Sequence, residues 1–222
     1  MANTDYTLMP GATSAIAANK VLKNTYLLLA ATMGFSALTA MLSMALHMPP
    51  MTYMGAVVVS MLLGIFVLPK TANSSAGIGV LFAITGLLGF GLGAILRTYL
   101  ALPSGHETVA LAFGGTAVIF LGLSGYALVS KRDFSFLGGF LFAGMMVALI
   151  AMVANIFLAI PALSLAVASV VILLMSGFIL FDTSRVARGE ETNYIMATYS
   201  IYLSIFNIFI SLLQILGIMG DD

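Results

Sequence analysis

Asp182 closes an apolar run, Ile179-Leu180-Phe181, and is followed at helical spacing by the cations Arg185 and Arg188. If the helix continues for another turn, Arg185 lies one turn on and can pair with the carboxylate. Two readings follow. An interfacial acid in a solvated ion pair contributes little. A carboxylate turned into a helical bundle can, by protonation or pairing, close one end of a pathway. A second stretch, Tyr194 to Met219, has no charge but carries Ser200, Ser204, Asn207, Ser211 and Gln214 at steps of four, three, four and three. On a helix with about 3.6 residues per turn those steps hold all five on one face. Serines in such helices can bond back to their own backbone, and amides can join helices. The Asn207 and Gln214 amides are expected to need partners beyond their own turn. With Asn155 they imply helices that face one another or a small hydrated cavity.

No Ser-His-Asp set, His-Glu-x-x-His pair or phosphate loop accompanies these residues, so an enzyme is not expected. His47 and His106, with only Glu107 near them, make a poor metal site. No cofactor is implied, and without a basic tract no nucleic acid. The chain has no cysteine, which removes disulfides and thiolate chemistry.

The elements that position the polar residues follow from composition. The 222 residues are 61% hydrophobic and 7% charged, with mean hydropathy +1.14, whereas a soluble domain has roughly a quarter of its residues charged. This is an all-α, polytopic membrane protein. With about 20 residues per spanning helix, the apolar runs give seven spans: 24–47, 51–68, 76–96, 107–130, 136–157, 161–181 and 194–219. Proline at 49, 50 and 69 ends the first two, because it has no amide to donate. Gly89 and Gly93 in the third form a small-xxx-small pair that allows close helix approach, although glycine is also simply frequent in membrane helices. Residues 1–23 are polar, lack the apolar core of a signal peptide, and are read as a flexible cytoplasmic tail. Residues 24–222 form the seven-helix domain.

Assigning the loops alternately to two sides places Lys20, Lys23, Lys70, Lys131, Arg132, Arg185 and Arg188 together and leaves Arg97 alone. The positive-inside rule makes the crowded side cytoplasmic. The N-terminus is then cytoplasmic, and after seven spans Asp221 and Asp222 lie on the periplasmic side.

Ser-Phe-Leu-Gly-Gly at 135–139, Ala-Asn-Ile-Phe at 154–157, Ile-Leu-Phe-Asp-Thr at 179–183 and Asn-Ile-Phe-Ile-Ser-Leu-Leu-Gln-Ile-Leu-Gly at 207–217 together resemble the BAX inhibitor-1 family of seven-span proteins. The resemblance covers nearly the whole chain after the first twenty residues. It implies a bundle with the last helix at its centre, located in the bacterial inner membrane. It also implies one of two activities. Bacterial members are associated with the membrane AAA protease FtsH as substrate and modulator; others are described as pH-sensitive calcium leak channels gated by paired aspartates on the last two helices. Asp182 matches the first aspartate. Ser204 occupies the position of the second and can neither share a proton nor hold a charge, which removes a coupled-carboxylate gate. Lys70 corresponds loosely to a basic residue that engages the pair. The expected function is therefore FtsH modulation, with the protease gripping residues 1 to about 18 while the bundle resists extraction. A calcium or proton leak through Asp182 is the alternative.

Overall fold

A computed structural model describes residues 10–130 and 132–219. Among them the structure is helical with no strand, and seven helical segments are long and apolar enough to cross a membrane. Helix α1 covers Pro10–Ala45, α2 Met51–Leu62 and α3 Leu68–Thr71, with a π-helical turn, Leu63–Val67, between the last two. Then follow α4 Ser75–Leu100, α5 Gly105–Ser130, α6 Leu137–Leu158, α7 Pro161–Ala187 and α8 Tyr194–Met219.

The first helix begins at Pro10, so the boundary expected at residue 24 falls inside it. Alanines at 12, 15, 17 and 18 supply strong helix formers there, and a proline is tolerated in a first turn. Residues 10–23 of the tail expected over 1–23 are therefore helical, and residues 1–9, together with Lys131, Asp221 and Asp222, lie outside the described residues. At its other end α1 stops at Ala45. His47 takes the left-handed conformation (φ 56°), and the Met48 amide reaches back to the Ser43 carbonyl at 3.2 Å, which is the bond pattern of a Schellman stop.

The second span does not end at Leu68. It passes through Pro69 to Thr71, because the π turn widens the hydrogen-bond register and the Leu68 amide bonds the Leu63 carbonyl. A proline then fits without the clash it causes in a regular α-helix. Gly64 lies in this turn directly against the Tyr199 hydroxyl, where any side chain would collide.

The sixth span continues past Phe181 to Ala187 and ends in a second Schellman pattern. Gly189 adopts φ 76°, which favours glycine, and the Glu190 amide bonds the Arg185 carbonyl at 2.9 Å. Asp182 is thus on a helix with a full turn beyond it.

Helix α4 packs on α1 and α2, α7 on α6, and α8 on α1, α4, α5 and α7. Lipid gives little hydrophobic drive for such contacts, so close packing and hydrogen bonds must hold them. The glycine pair supplies the close packing: a Cβ on Gly89 would strike the Ser36 carbonyl, and one on Gly93 the Ala40 carbonyl. Leu81, Ile84, Ile179, Ile201 and Ile208 are fully buried and fill the space between these helices.

Candidate functional site

The polar residues gather toward one end of the bundle, where the loops between α3 and α4, α5 and α6, and α7 and α8 meet. Asn193 bonds the Ala72 carbonyl (3.1 Å) and the Asn73 side chain (2.9 Å). Arg188 pairs with Asp133 at 2.5 Å and with Glu190 at 2.9 Å and donates to Ser135 Oγ at 2.7 Å. Asp133 also accepts the Ser135 amide at 2.7 Å. Bonds from the Ser135 backbone and side chain, then from Arg188, hold the Asp133 carboxyl below the usual carboxylate range.

Just inside this knot, Asp182 is buried. It accepts a hydrogen bond of 2.5 Å from Ser200 Oγ on α8. The expected pair with Arg185 does not form. Arg185 instead reaches outward to Glu191 at 3.8 Å, with its guanidinium 5.3 Å from the centre of the Phe181 ring. Three residues advance a helix by about 300°, so Asp182 turns toward α8 while Arg185 stays near the loop. Lys70 is exposed on α3, and no ion pair joins it to Asp182 among the described residues.

Only Ser200, of the striped residues on α8, crosses to another helix through its side chain. Ser204 Oγ donates to the Ser200 carbonyl at 3.1 Å. Asn207 Nδ2 donates to the Leu203 carbonyl at 2.8 Å. The Asn207 amide is thus satisfied within its own turn, contrary to expectation. Ser211 is buried and Gln214 half-buried. Asn155 does not join them: its Nδ2 donates to Ser164 Oγ at 2.5 Å and its Oδ1 accepts the Ile160 amide at 3.1 Å. It fastens the turn from α6 to α7, where Ala159 is left-handed.

Sequence patterns missed the links that do cross the bundle. Tyr26 on α1 bonds Ser124 on α5 at 2.7 Å, and Ser124 lies 3.2 Å from Thr183 on α7. Tyr202 on α8 bonds Ser36 on α1 at 2.7 Å and donates to the Thr85 carbonyl on α4 at 3.3 Å. Thr198 donates to the Tyr194 carbonyl at 2.7 Å and the Thr25 carbonyl at 3.2 Å. Periodicity could not pair residues separated by up to 173 positions. The signal available was the burial that an apolar helix imposes on any hydroxyl it carries.

Chemically, the arrangement is one buried carboxylate with one hydroxyl donor beneath a clasp of surface ion pairs. Among the described residues no three His, Asp or Glu side chains converge as a metal site would require.

Residues 18–221 match the family described as Inhibitor of apoptosis-promoting Bax1. The chain is 50% identical over 204 residues, 92% of each chain, to an uncharacterized membrane protein of Vibrio cholerae. It is 51% identical over 210 residues, 95% of each chain, to an Escherichia coli K12 protein named Modulator of FtsH protease YccA. A protein of E. coli O6:H1 with the same identity and coverage is named Inner membrane protein YccA.

Proposed function

The chain belongs to the Bax1 inhibitor family of membrane proteins, and from that premise we propose that it resides in the bacterial inner membrane and binds and modulates the AAA protease FtsH. The observation that carries this reading is the 51% identity, over 95% of both chains, to the E. coli protein named for that activity. The N-terminus faces the cytoplasm and the C-terminus the periplasm, as the crowding of Lys20, Lys23, Lys70, Arg132, Arg185 and Arg188 on one side supports. The protease grips the segment that precedes and opens α1. Helices joined by Tyr26, Ser124, Thr183, Ser36 and Tyr202 then resist extraction, with α8 as the central helix. The chain acts by binding and carries no reaction of its own.

Copurification of FtsH with the full-length chain from native membranes tests the encounter, and its failure at normal expression sinks the reading. Deleting residues 1–18 should abolish both degradation of the chain and inhibition of the protease. Inhibition that survives the deletion removes that segment as the point of grip.

The burial of Asp182 within the bundle favours a second reading, a calcium or proton leak with a single-carboxylate gate. Full-length protein in liposomes should then pass calcium in a pH-dependent way, and Asp182→Asn should remove that dependence. Flux no greater than that of empty liposomes excludes it.

A further inference from the structure

The buried face of α1 runs past the end of its membrane span. Ala18, Thr25, Leu29, Thr32 and Ser36 are all buried, and their steps of seven, four, three and four keep them on one side of a helix. At 1.5 Å per residue, residues 24–45 measure roughly 33 Å, enough to cross about 30 Å of hydrocarbon. The turns before them, with Lys20 and Lys23, therefore project beyond the bilayer. Among residues 17–23 only Ala18 is buried, and a residue buried outside lipid is covered by protein.

The α7–α8 loop supplies that cover. A Cβ at Gly189 would stand 3.4 Å from the Ala18 Cβ, so the Ala18 methyl rests over the bare glycine of the turn. Gly189 is held left-handed, at φ 76°, between Arg188 and Glu190, which pair with each other at 2.9 Å. Arg188 also pairs with Asp133 of the α5–α6 turn. The glycine is thus fixed in place by the knot where the loops meet.

The contact itself is small. One methyl on one glycine is weaker than the bonds that anchor the following turns, where the Thr25 carbonyl accepts Thr198 Oγ1 and Tyr26 bonds Ser124. The first turns can lift while the membrane part stays. Short helices without tertiary contact are marginal in water, so lifting favours unwinding. An extended chain reaches about 3.3–3.6 Å per residue against about 1.5 Å in a helix, and unwinding residues 10–23 lengthens the N-terminal segment by roughly 25–30 Å.

We propose that Gly189 is a seat for the first turns of α1, and that release of Ala18 from it sets how much N-terminal chain a pulling protease can draw on. Seated, α1 withholds residues 10–23; lifted, it releases them. The inference rests on the protease reading and adds a control to it, exerted by the α7–α8 loop.

Two variants open the seat from opposite sides. Gly189→Asn keeps a residue that tolerates the left-handed conformation and adds atoms beyond a Cβ already in contact with Ala18, leaving the gripped segment untouched. Ala18→Gln enlarges the other partner. Both are made in the full-length chain and compared with it well below their melting temperatures. In detergent micelles, trypsin cleavage after Lys20 and Lys23 should be several-fold faster in both variants than in the native chain. Degradation by purified FtsH with ATP should also rise several-fold in both. A Gly-Ser extension before Met1, as long as residues 10–23, should erase that difference, because it supplies the chain that the seat withholds. Trypsin rates unchanged in both variants overturn the seat. Faster trypsin cleavage with an unchanged FtsH rate, or a difference that persists in the extended chains, overturns its control of the protease. A native chain that FtsH neither binds nor degrades sinks the protease reading and with it the control, while the trypsin rates still decide the seat.

Discussion

Ser200 on α8 donates a 2.5 Å hydrogen bond to Asp182 on α7, and this is the only side-chain link from the α8 stripe to another helix. The bond replaces solvent for a buried carboxylate, and removing a partner from such a group costs about 1–3 kcal/mol, because the group left behind stays desolvated. Ser200→Ala should destabilise the bundle by that amount. Asp182→Asn, which keeps an acceptor for the hydroxyl, should cost less than Asp182→Leu. Unfolding in detergent, measured for the single variants and for the Ser200→Ala/Asp182→Leu double, should show non-additivity, since each of those changes removes the bond. Strict additivity would mean the two side chains do not interact.

At the loops, Arg188 and Asp133 hold the α5–α6 turn against the end of α7. Because the Asp133 carboxyl is held below its ordinary range, the sign is fixed: the contribution is fully present above the unfolded-state value and is lost as pH falls through the folded one. The protection factor of the amides in residues 132–136, that is, exchange corrected for its intrinsic pH dependence, should therefore be constant at neutral pH and fall on acidification. Asp133→Asn should show low protection at every pH, and added salt should lower protection of the native loop, since the carboxylate is solvent-exposed. A protection profile unaffected by acid would show that the clasp does not order the turn.

Between α1 and α4 the contact is backbone on backbone. Gly93→Ala would drive a methyl into the Ala40 carbonyl, whereas Gly114 on α5 has nothing within 4 Å of the position a Cβ would take. Gly93→Ala should lower stability by about 1–3 kcal/mol through overpacking, and Gly114→Ala should be neutral or slightly stabilising through helix propensity. Equal melting temperatures for the two variants would contradict the close approach.

The sequence exposes some of these features and conceals others for physical reasons. Seven spans are visible because lipid demands long apolar helices whatever their neighbours. The Gly89 and Gly93 contact is only half visible: small residues one turn apart permit close approach, but glycine is frequent in membrane helices whatever its use, and the structure supplies the Ser36 and Ala40 carbonyls they meet. Helix ends are less visible. Pro69 reads as a stop, yet a π turn absorbs it, and Phe181 reads as an end because Asp182 and Thr183 are polar, although both are buried on a continuing helix. The Asp182–Arg185 pair fails because spacing places two residues near each other without saying which faces inward. The Asn207 amide fails oppositely, finding its acceptor one turn back, at the Leu203 carbonyl. Tyr26, Ser124 and Thr183 meet only through the tertiary fold.

Asn193 separates two roles within one side chain. Its Oδ1 accepts the amides of Ile195 and Met196 at 3.0 and 3.1 Å, the N-cap of α8. Its Nδ2 donates to Ala72 and Asn73 across to the α3–α4 turn. Aspartate preserves the acceptor and removes the donors; alanine removes both. Losing a cap costs about 0.5–2 kcal/mol, so Asn193→Ala should lose that amount plus the cross-loop bonds, while Asn193→Asp should lose only the bonds. Unfolding measurements would rank the variants native, aspartate, alanine. The aspartate variant should also show faster exchange at residues 72–74 with α8 still protected at its start. If both variants fray α8 equally, the oxygen does not cap it, and the Asn193 contribution lies wholly in tying the loops together.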